Sequence, residues 1–242
     1  MAEERFSRTA LLVGEEGVSR LAAATVAVFG LGGVGGYVCE ALARAGIGHL
    51  ILVDHDVISR SNINRQILAD EETVGRPKAE VAAERAKKIN PAAYVTAVQR
   101  FVLSEELDGL FADCRPDYIV DAIDTVTGKV GILRYAAAAG IPAVSCMGTG
   151  NKLEPEKLQI SDISRTHTCP LARAVRARLR REGILHADVL WSSEPPRKPV
   201  VQLTENGRHI PASVSFVPGV AGLMLGGFVV RRLLGIPDHK KM

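Results

Sequence analysis

Aromatic residues and cysteines are scarce in this sequence, and both shortages narrow the kind of protein it encodes. Only 5% of the 242 residues are aromatic, so the core has to be built from Ala, Val, Leu and Ile. Those residues are typical of buried parallel strands and their covering helices. The four cysteines form no CxxC pair, which argues against a disulfide framework and a zinc ribbon. An α/β protein of the reducing cytoplasm is therefore predicted.

The sequence has no large charge excess, and neither a signal peptide nor an unbroken membrane span is predicted. The 30 basic and 27 acidic residues leave a net charge of +3, which neither demands nor excludes a nucleic acid partner. The N-terminus has acidic residues where a signal peptide needs basic ones, so export is not expected. Residues 210–230 carry no charge, but Pro211 and Pro218 interrupt them. We expect a buried core helix there and no stable membrane insertion, with membrane association through 211–230 as the lesser alternative.

Strands and helices alternate along the first half of the chain. An apolar run at 25–29 leads into the glycine turn GLGGVGG, a helix and a second strand at 49–54, which closes a βαβ unit. Further strands are predicted at 94–98, within 117–124 and 141–148, and, beyond Gly150, at 157–163 and 188–193. The predicted fold class is α/β, a Rossmann-like, doubly wound and mostly parallel sheet with extra C-terminal strands and helices.

One domain over residues 1–242 is expected. Residues 1–150 are its nucleotide-binding half, and residues 151–242 are a substrate-side half that completes the site. The segment near 193–210 is rich in proline and contains an Asn-Gly turn signal, so a mobile loop is predicted there.

The glycine turn has the spacing of a nucleotide-binding motif. Gly30, Gly32 and Gly35 fit GxGxxG between a strand and a helix, where the helix N-terminus offers free N–H groups to phosphate. Asp54 follows the next strand, where a carboxylate accepts hydrogen bonds from ribose hydroxyls. A nucleotide site is predicted, against the alternative that the glycines serve only helix–strand packing.

The residues after Asp54 favour a triphosphate over a nicotinamide cofactor. A dehydrogenase usually enters its next helix at once, whereas this chain supplies a polar stretch with Asp56, Asn62, Arg65 and Gln66, and then Lys78. A cation near the phosphates stabilises the charge that develops on a phosphate leaving group. The alternative is that Arg65 and Lys78 are solvated loop charges.

Two carboxylates at the end of the fourth predicted strand are candidates for Mg²⁺. Magnesium needs only one or two protein carboxylates beside substrate phosphates. Asp124 is preferred because it lies farther into the loop, and Asp121 is left as a second ligand candidate or a cap.

The motifs together resemble the adenylating fold of the ubiquitin-activating superfamily and its bacterial relatives. They are RFSR, GLGGVGG, VDHDVISRSNINRQ, VGRPKAE and DAIDTVTGK, and the resemblance is strong over about residues 6–150. The late segment VPGVAGLMLGGFVVRRLLG is similar to a core helix of the same family. The resemblance implies activation of a carboxylate with ATP and Mg²⁺ through an acyl-adenylate, with release of pyrophosphate.

The resemblance also implies roles for single residues. It makes Gly32, Gly33 and Gly35 the phosphate turn, Asp54 the ribose ligand and Asp124 the Mg²⁺ ligand. It places four side chains around the phosphates, those of Asn62, Arg65, Gln66 and Lys78. Arg8 matches an arginine that reaches into the partner subunit's site in the family, which implies a homodimer and makes Arg8, Arg65, Lys78 and Asp124 the expected catalytic set.

The departures from the family pattern indicate a branch. Activators of small sulfur-carrier proteins commonly hold zinc through two CxxC pairs, which this chain lacks. Residues 145–176 and the segment LWSSEPP resemble instead the tRNA threonylcarbamoyladenosine dehydratases, which implies adenylation of the threonyl carboxylate on a modified adenosine, followed by ring closure with loss of water. Activation of a sulfur-carrier protein is the alternative, a nicotinamide oxidoreductase is less favoured, and sulfur-transfer or carrier-protein partners remain open.

An RNA substrate requires contacts to phosphates, and the chain has one dense basic run. No acidic residue interrupts the arginines between 165 and 181, and the expected RNA ligands are Arg165, Arg173, Arg176, Arg180 and Arg181. A solvated helix face is the alternative. Cys169, just before this helix, is the one cysteine placed to accept an acyl group, with packing at the helix start as the alternative role.

Overall fold

A seven-stranded sheet organises this computed structural model, which describes residues 3–101, 104–205 and 208–237. The strands of the sheet are β1 (Thr25–Phe29), β2 (His49–Val53), β3 (Tyr94–Val98), β4 (Tyr118–Asp121), β5 (Ala143–Cys146), β6 (Leu158–Asp162) and β7 (Asp188–Ser192). Their order is β3-β2-β1-β4-β5-β7-β6, and only β6 is antiparallel to its neighbour. The predicted Rossmann-like, mostly parallel sheet with extra C-terminal strands is confirmed.

The helices cover both faces of the sheet. They are α1 (Ser7–Ala23), which breaks at Gly14, α2 (Gly35–Ala45), α3 (Lys78–Ile89), the single turn α4 (Leu107–Leu110), α5 (Val126–Ala139), α6 (Pro170–Arg181) and α7 (Phe216–Leu233). Because side chains alternate along a strand, Val26 and Val28 pack with α2, α3 and α7, whereas Ala27 and Phe29 pack with α4 and α5. A third cluster joins α5 and α6 to β7.

The sheet register brings the carboxyl ends of the central strands together. Phe29, the last residue of β1, pairs with Val53 of β2 on one side and with Asp121 of β4 on the other. The residues that follow these three positions therefore leave the sheet at one edge. This is where open α/β sheets bind their ligands, at the point where the strand order reverses around β1 and β4.

Helix α7 contains most of the uncharged segment 211–230, for which the sequence left membrane association as the lesser alternative to a core helix. In the described residues it is the one helix long and apolar enough to cross a membrane, and half of its apolar window is buried inside the protein. A Cβ at Gly222 would lie 2.4 Å from Val34 O, and one at Gly226 would lie 2.5 Å from Ala41 Cβ. Glycine at both positions thus allows α7 to pack directly against α2, as expected of a core helix.

Some boundaries differ from the sequence prediction. The second strand ends at Val53, so Asp54 is the first residue of the loop, and β4 ends at Asp121, which leaves Asp124 outside the sheet. In the segment near 193–210, β8 (Thr204–Glu205) pairs with β9 (Arg208–His209). Residues 206–207 lie outside the described residues, and the mobility of this loop stays a prediction.

Candidate functional site

The glycine turn closes against its own backbone and against the loop after β4. Gly30 has φ +83°, and a Cβ there would lie 2.8 Å from Ala122 O. A Cβ at Gly35, the first residue of α2, would lie only 1.7 Å from Gly30 O. Gly32 faces open space, since the nearest atom to its Cβ position is Gln66 Nε2 at 3.8 Å. The turn therefore tolerates only glycine at its ends and leaves room for a ligand at its centre.

Asp54 connects the turn to the loop after β2. Its buried carboxylate accepts hydrogen bonds from Leu31 N at 2.6 Å and from Asp56 N at 2.8 Å. A carboxylate has about four lone-pair positions, so both oxygens keep capacity for ribose hydroxyls. The structure places Asp54 beside the glycine turn, and its contact with ribose stays a prediction.

Gln66 is the polar side chain whose environment fits a ligand. It is 6% exposed, and its Oε1 has no hydrogen-bond partner among the described residues. A buried amide oxygen without a donor costs on the order of 1–3 kcal/mol, so its lone pairs are expected to meet a donor from a bound molecule. Its Nε2 lies 3.8 Å from the Cβ position of Gly32, so the amide group borders the open centre of the turn.

Arg65 and Lys78 lie in the polar stretch between β2 and α3, and both have partners in the protein. Arg65 Nη1 donates to Ser61 O and Asn64 Oδ1, both at 2.9 Å, and its Cγ lies 3.4 Å from the Cβ position of Gly33. Burial lowers the pKa of the Arg65 guanidinium. The buried Lys78 Nζ pairs with Asp56 Oδ2 at 2.7 Å.

Of these two cations, Arg65 is thus packed directly against the glycine turn. Asn62, from the same polar stretch, serves as a local cap, because its Oδ1 accepts a hydrogen bond from Ser59 N at 3.1 Å. Its predicted contact with phosphate is untested, as are those of Arg65, Gln66 and Lys78.

The two candidate metal carboxylates have different environments. Asp121 is fully buried: Lys129 Nζ donates to its two oxygens at 3.1 and 3.3 Å, and Ser145 Oγ donates to Oδ2 at 2.5 Å. Asp121 Oδ1 also accepts from Ile123 N at 3.1 Å and so orders the loop that carries Asp124. Asp124 is exposed, and no hydrogen bond or ion pair with other described residues occupies its carboxylate. An exposed carboxylate of this kind is compatible with the predicted Mg²⁺ ligand, and that role stays a prediction.

The buried Asp121–Lys129–Ser145 cluster was not predicted as a unit. Its members come from β4, α5 and β5, so only the sheet register brings them together. Breaking a buried ion pair on one side typically costs about 3–5 kcal/mol. Lys129 and Ser145 thus position the Asp124 loop without being expected to contact substrate.

A second network that the sequence did not indicate connects the loop after β5 to the segment after β7. The buried Lys152 donates through Nζ to Glu194 O, and burial lowers the pKa of its ammonium. The Glu194 carboxylate accepts from Leu153 N at 3.1 Å, Glu154 N at 2.9 Å and Arg197 Nε at 2.9 Å. The beginning of the predicted mobile loop is thereby attached to the carboxyl edge of the sheet.

The basic helix α6 presents most of its predicted RNA ligands to solvent. Arg173, Arg180 and Arg181 are exposed on the helix, and Arg165 is exposed just before it. Arg176 is different: its Nη1 donates to Thr166 O at 2.7 Å and also to Thr166 Oγ1. Part of its guanidinium is therefore engaged in holding the turn before α6.

The structure assigns Cys169 a local packing role. It is buried, and its sulfur accepts a hydrogen bond from Ala172 N at 3.5 Å as the N-cap of α6. That geometry corresponds to the alternative of packing at the helix start.

Arg8 lies on the exposed first turn of α1, far along the chain from the glycine turn. Among the described residues, Arg8 makes no hydrogen bond or ion pair with the side chains around the glycine turn.

Comparison with known proteins places this site in a family. The family model for the ThiF family matches residues 6–242. The chain belongs to the ThiF family. A tRNA threonylcarbamoyladenosine dehydratase of Bacillus subtilis is 42% identical, with 98% of both chains covered. One of the same name from Escherichia coli is 39% identical over 79% of this chain and 74% of its own length.

Solved structures agree with the sequence relatives of this ThiF-family chain. The Escherichia coli tRNA N6-threonylcarbamoyladenosine dehydratase in complex with AMP superposes with a TM-score of 0.87 at 34% identity, covering 96% of this chain and 94% of that one. The same enzyme in complex with ATP gives a TM-score of 0.83. The likeness thus extends through both halves of the chain.

Proposed function

We propose that this ThiF-family chain is an ATP-dependent tRNA threonylcarbamoyladenosine dehydratase. The observation that carries this proposal is the extent of the similarity, which reaches 98% of both chains for the Bacillus subtilis dehydratase. The Escherichia coli sulfur carrier protein ThiS adenylyltransferase is 35% identical but matches only 62% of this chain. The C-terminal half therefore favours the dehydratases over the carrier-protein activators.

The proposed chemistry is the adenylation and ring closure that the resemblance to the dehydratases implies. An oxygen of the threonyl carboxylate attacks the α-phosphorus of ATP, and pyrophosphate leaves with its electron pair. An atom of the neighbouring carbamoyl group then attacks the activated carbonyl, its proton is lost and AMP leaves, so the net change in the nucleoside is the loss of one water. Ring closure within one side chain is effectively unimolecular and needs no cysteine nucleophile.

The residues around the turn have distinct parts in this reaction. The N–H groups at the start of α2 face the phosphates, and Arg65, packed against Gly33, stabilises the charge on the leaving pyrophosphate. Asp54 holds the ribose, while Gln66, Asn62 and the Lys78–Asp56 pair complete the pocket wall. Asp124 would hold Mg²⁺, which would neutralise charge on the phosphates.

Pyrophosphate release from ATP tests this function with two kinds of acceptor. The proposal expects release to depend on tRNA that carries the threonylcarbamoyl group. Release that depends instead on a small sulfur-carrier protein, with no response to such tRNA, would replace this proposal with the carrier-activation alternative.

The exposed arginines of α6 are proposed to bind tRNA phosphates. In Arg180→Ala/Arg181→Ala, two phosphate contacts are removed, so affinity for tRNA should fall and the log–log slope against salt should flatten by about 0.7–0.9 for each contact. Filter binding over a range of salt concentrations measures both quantities. The matched control is Lys87→Ala/Lys88→Ala, which removes two cations from the last turn of α3. An unchanged slope in the α6 variant would make that helix only a solvated face.

A homodimer is proposed from the surface of α1. Leu11 and Leu12 are 89% and 87% exposed one turn beyond Arg8, an apolar pair that a second copy would cover. Leu11→Asp/Leu12→Asp is expected to convert a dimer into a monomer in sedimentation velocity, and Arg8→Ala to lower turnover without changing the mass. A wild-type protein that sediments as a monomer at micromolar concentration would contradict this proposal.

A further inference from the structure

The turn that precedes α6 reaches the same sheet edge as the nucleotide site. β6 runs antiparallel to β7 and ends at Asp162, opposite Asp188, which is the amino end of β7. The chain then crosses from the amino end to the carboxyl end of the parallel strands. This is shown by Cys169 Sγ, which lies 3.6 Å from the Cβ position of Gly148 in the loop after β5. The end of this turn, at Cys169, therefore lies at the carboxyl end of the parallel strands, as do the glycine turn and the Asp124 loop.

His167 is an exposed ring with a fixed orientation in this turn. Its imidazole meets the buried Trp191 edge-to-face, with centroids 4.5 Å apart and planes at 79°. The Trp191 indole is itself fixed, since Nε1 donates to Ser161 Oγ at 2.9 Å. His167 Nδ1 lies 2.8 Å from Thr168 Oγ1. The perpendicular arrangement leaves at least one face of the imidazole uncovered by the indole.

The backbone on both sides of His167 is held in place. Thr166 is buried and bound by Arg176, and Cys169 is buried as the N-cap of α6. Between them Thr168 has φ +63°, a conformation that a β-branched residue rarely adopts. Such strain persists where surrounding contacts enforce it, and it is concentrated at functional sites. Here the strained backbone holds an aromatic ring exposed to solvent before any ligand binds.

We propose that His167 is a stacking platform for an unpaired RNA base next to the nucleotide that enters the active site. The inference rests on the proposed tRNA substrate and identifies where its single-stranded loop would be recognised. Proteins bind unpaired bases by stacking them on aromatic rings beside arginines that contact the backbone. His167 meets this description, because the exposed Arg165 and Arg173 flank it in the sequence and its ring contacts Trp191 near the carboxyl end of β7.

Binding of a fluorescently labelled RNA hairpin with the anticodon-loop sequence tests the platform in the full-length protein. His167→Ala removes the ring and should weaken binding by roughly tenfold, within the range for loss of one stacked base. His167→Phe keeps a ring but no ring nitrogen, and should bind within about twofold of wild type. The salt slope should be the same in all three proteins, since stacking releases no counterions.

An exposed histidine can also act through a hydrogen bond or a phosphate contact, and each of these roles predicts a different set of affinities and salt slopes for the variants. If His167→Gln restored binding and His167→Phe did not, the residue would act through a hydrogen bond, and the stacking platform would be wrong. A flatter salt slope in His167→Ala would indicate a phosphate contact and overturn it as well, as would wild-type affinity in His167→Ala. Thermal unfolding of each variant checks that the substitution leaves the global stability unchanged. A wild-type protein that neither binds the hairpin nor modifies tRNA would instead refute the proposed function itself.

Discussion

Replacing Asp124 or Arg65 with alanine is expected to abolish turnover while the protein stays folded. Asp124 is an exposed loop carboxylate, and Arg65 packs against the glycine turn without joining a core ion pair. Both are proposed to act on charge that develops as pyrophosphate leaves, and loss of one such contact typically costs about a hundredfold or more. Steady-state pyrophosphate release with tRNA measures the loss, and circular dichroism verifies the fold.

Cys169→Ala is the comparison variant for this prediction. The thiol is buried as a helix cap and is not required for ring closure, so the variant should retain most of the activity. An inactive Cys169→Ala beside a nearly wild-type Asp124→Ala would replace direct cyclisation with a mechanism through a thioester.

Gly35→Ala is expected to destroy the nucleotide site and to destabilise the whole protein. A Cβ at this position would lie 1.7 Å from Gly30 O, an overlap with backbone that no side-chain movement can relieve. The start of α2 has to move away from β1, and we expect the free energy of unfolding to fall by about 3 kcal/mol or more. Urea denaturation measures that loss, and calorimetric titration should detect no ATP binding.

Gly32→Ala is the control for this prediction, because it also replaces a glycine of the turn but introduces no steric clash. Its Cβ would meet nothing closer than 3.8 Å, so stability should change by less than about 1 kcal/mol, as expected for a small substitution in open space. Any loss of ATP affinity in Gly32→Ala is then caused by contact between the added methyl group and ATP, because the fold is unchanged. Equal stability of Gly35→Ala and wild type would show that the turn is not built as described.

Local patterns sufficed to predict the sheet and the turn. The apolar runs of β1 and β2 are bounded by glycine and by loop residues, and the GxGxxG spacing fixes where α2 begins. The motif resemblance also located Arg65 and Asp124 on the edge where the structure has them. The strands and the turn depend on residues close together in the chain, whereas Arg65 and Asp124 were placed by the resemblance to a family.

The networks behind the site depend on pairings across the sheet, which the sequence does not reveal. Asp121 meets Ser145 only through the register of β4 with β5, and Lys152 meets Glu194 across 42 positions of chain. In the sequence nothing distinguishes Arg176 from the other arginines of α6, and only the fold shows that it donates to Thr166. His167 and Trp191 are likewise joined only after β6 and β7 pair.

Mass spectrometry of the modified nucleoside tests the dehydratase assignment most directly. Wild-type protein is incubated with ATP, Mg²⁺ and tRNA carrying threonylcarbamoyladenosine, and the nucleosides are then analysed. We expect the nucleoside to lose the mass of one water, and AMP and pyrophosphate to form in equal amounts. With Asp124→Ala, we expect no change in the nucleoside and no AMP or pyrophosphate. If folded protein that binds ATP leaves the mass of the nucleoside unchanged after incubation, the dehydratase assignment is contradicted.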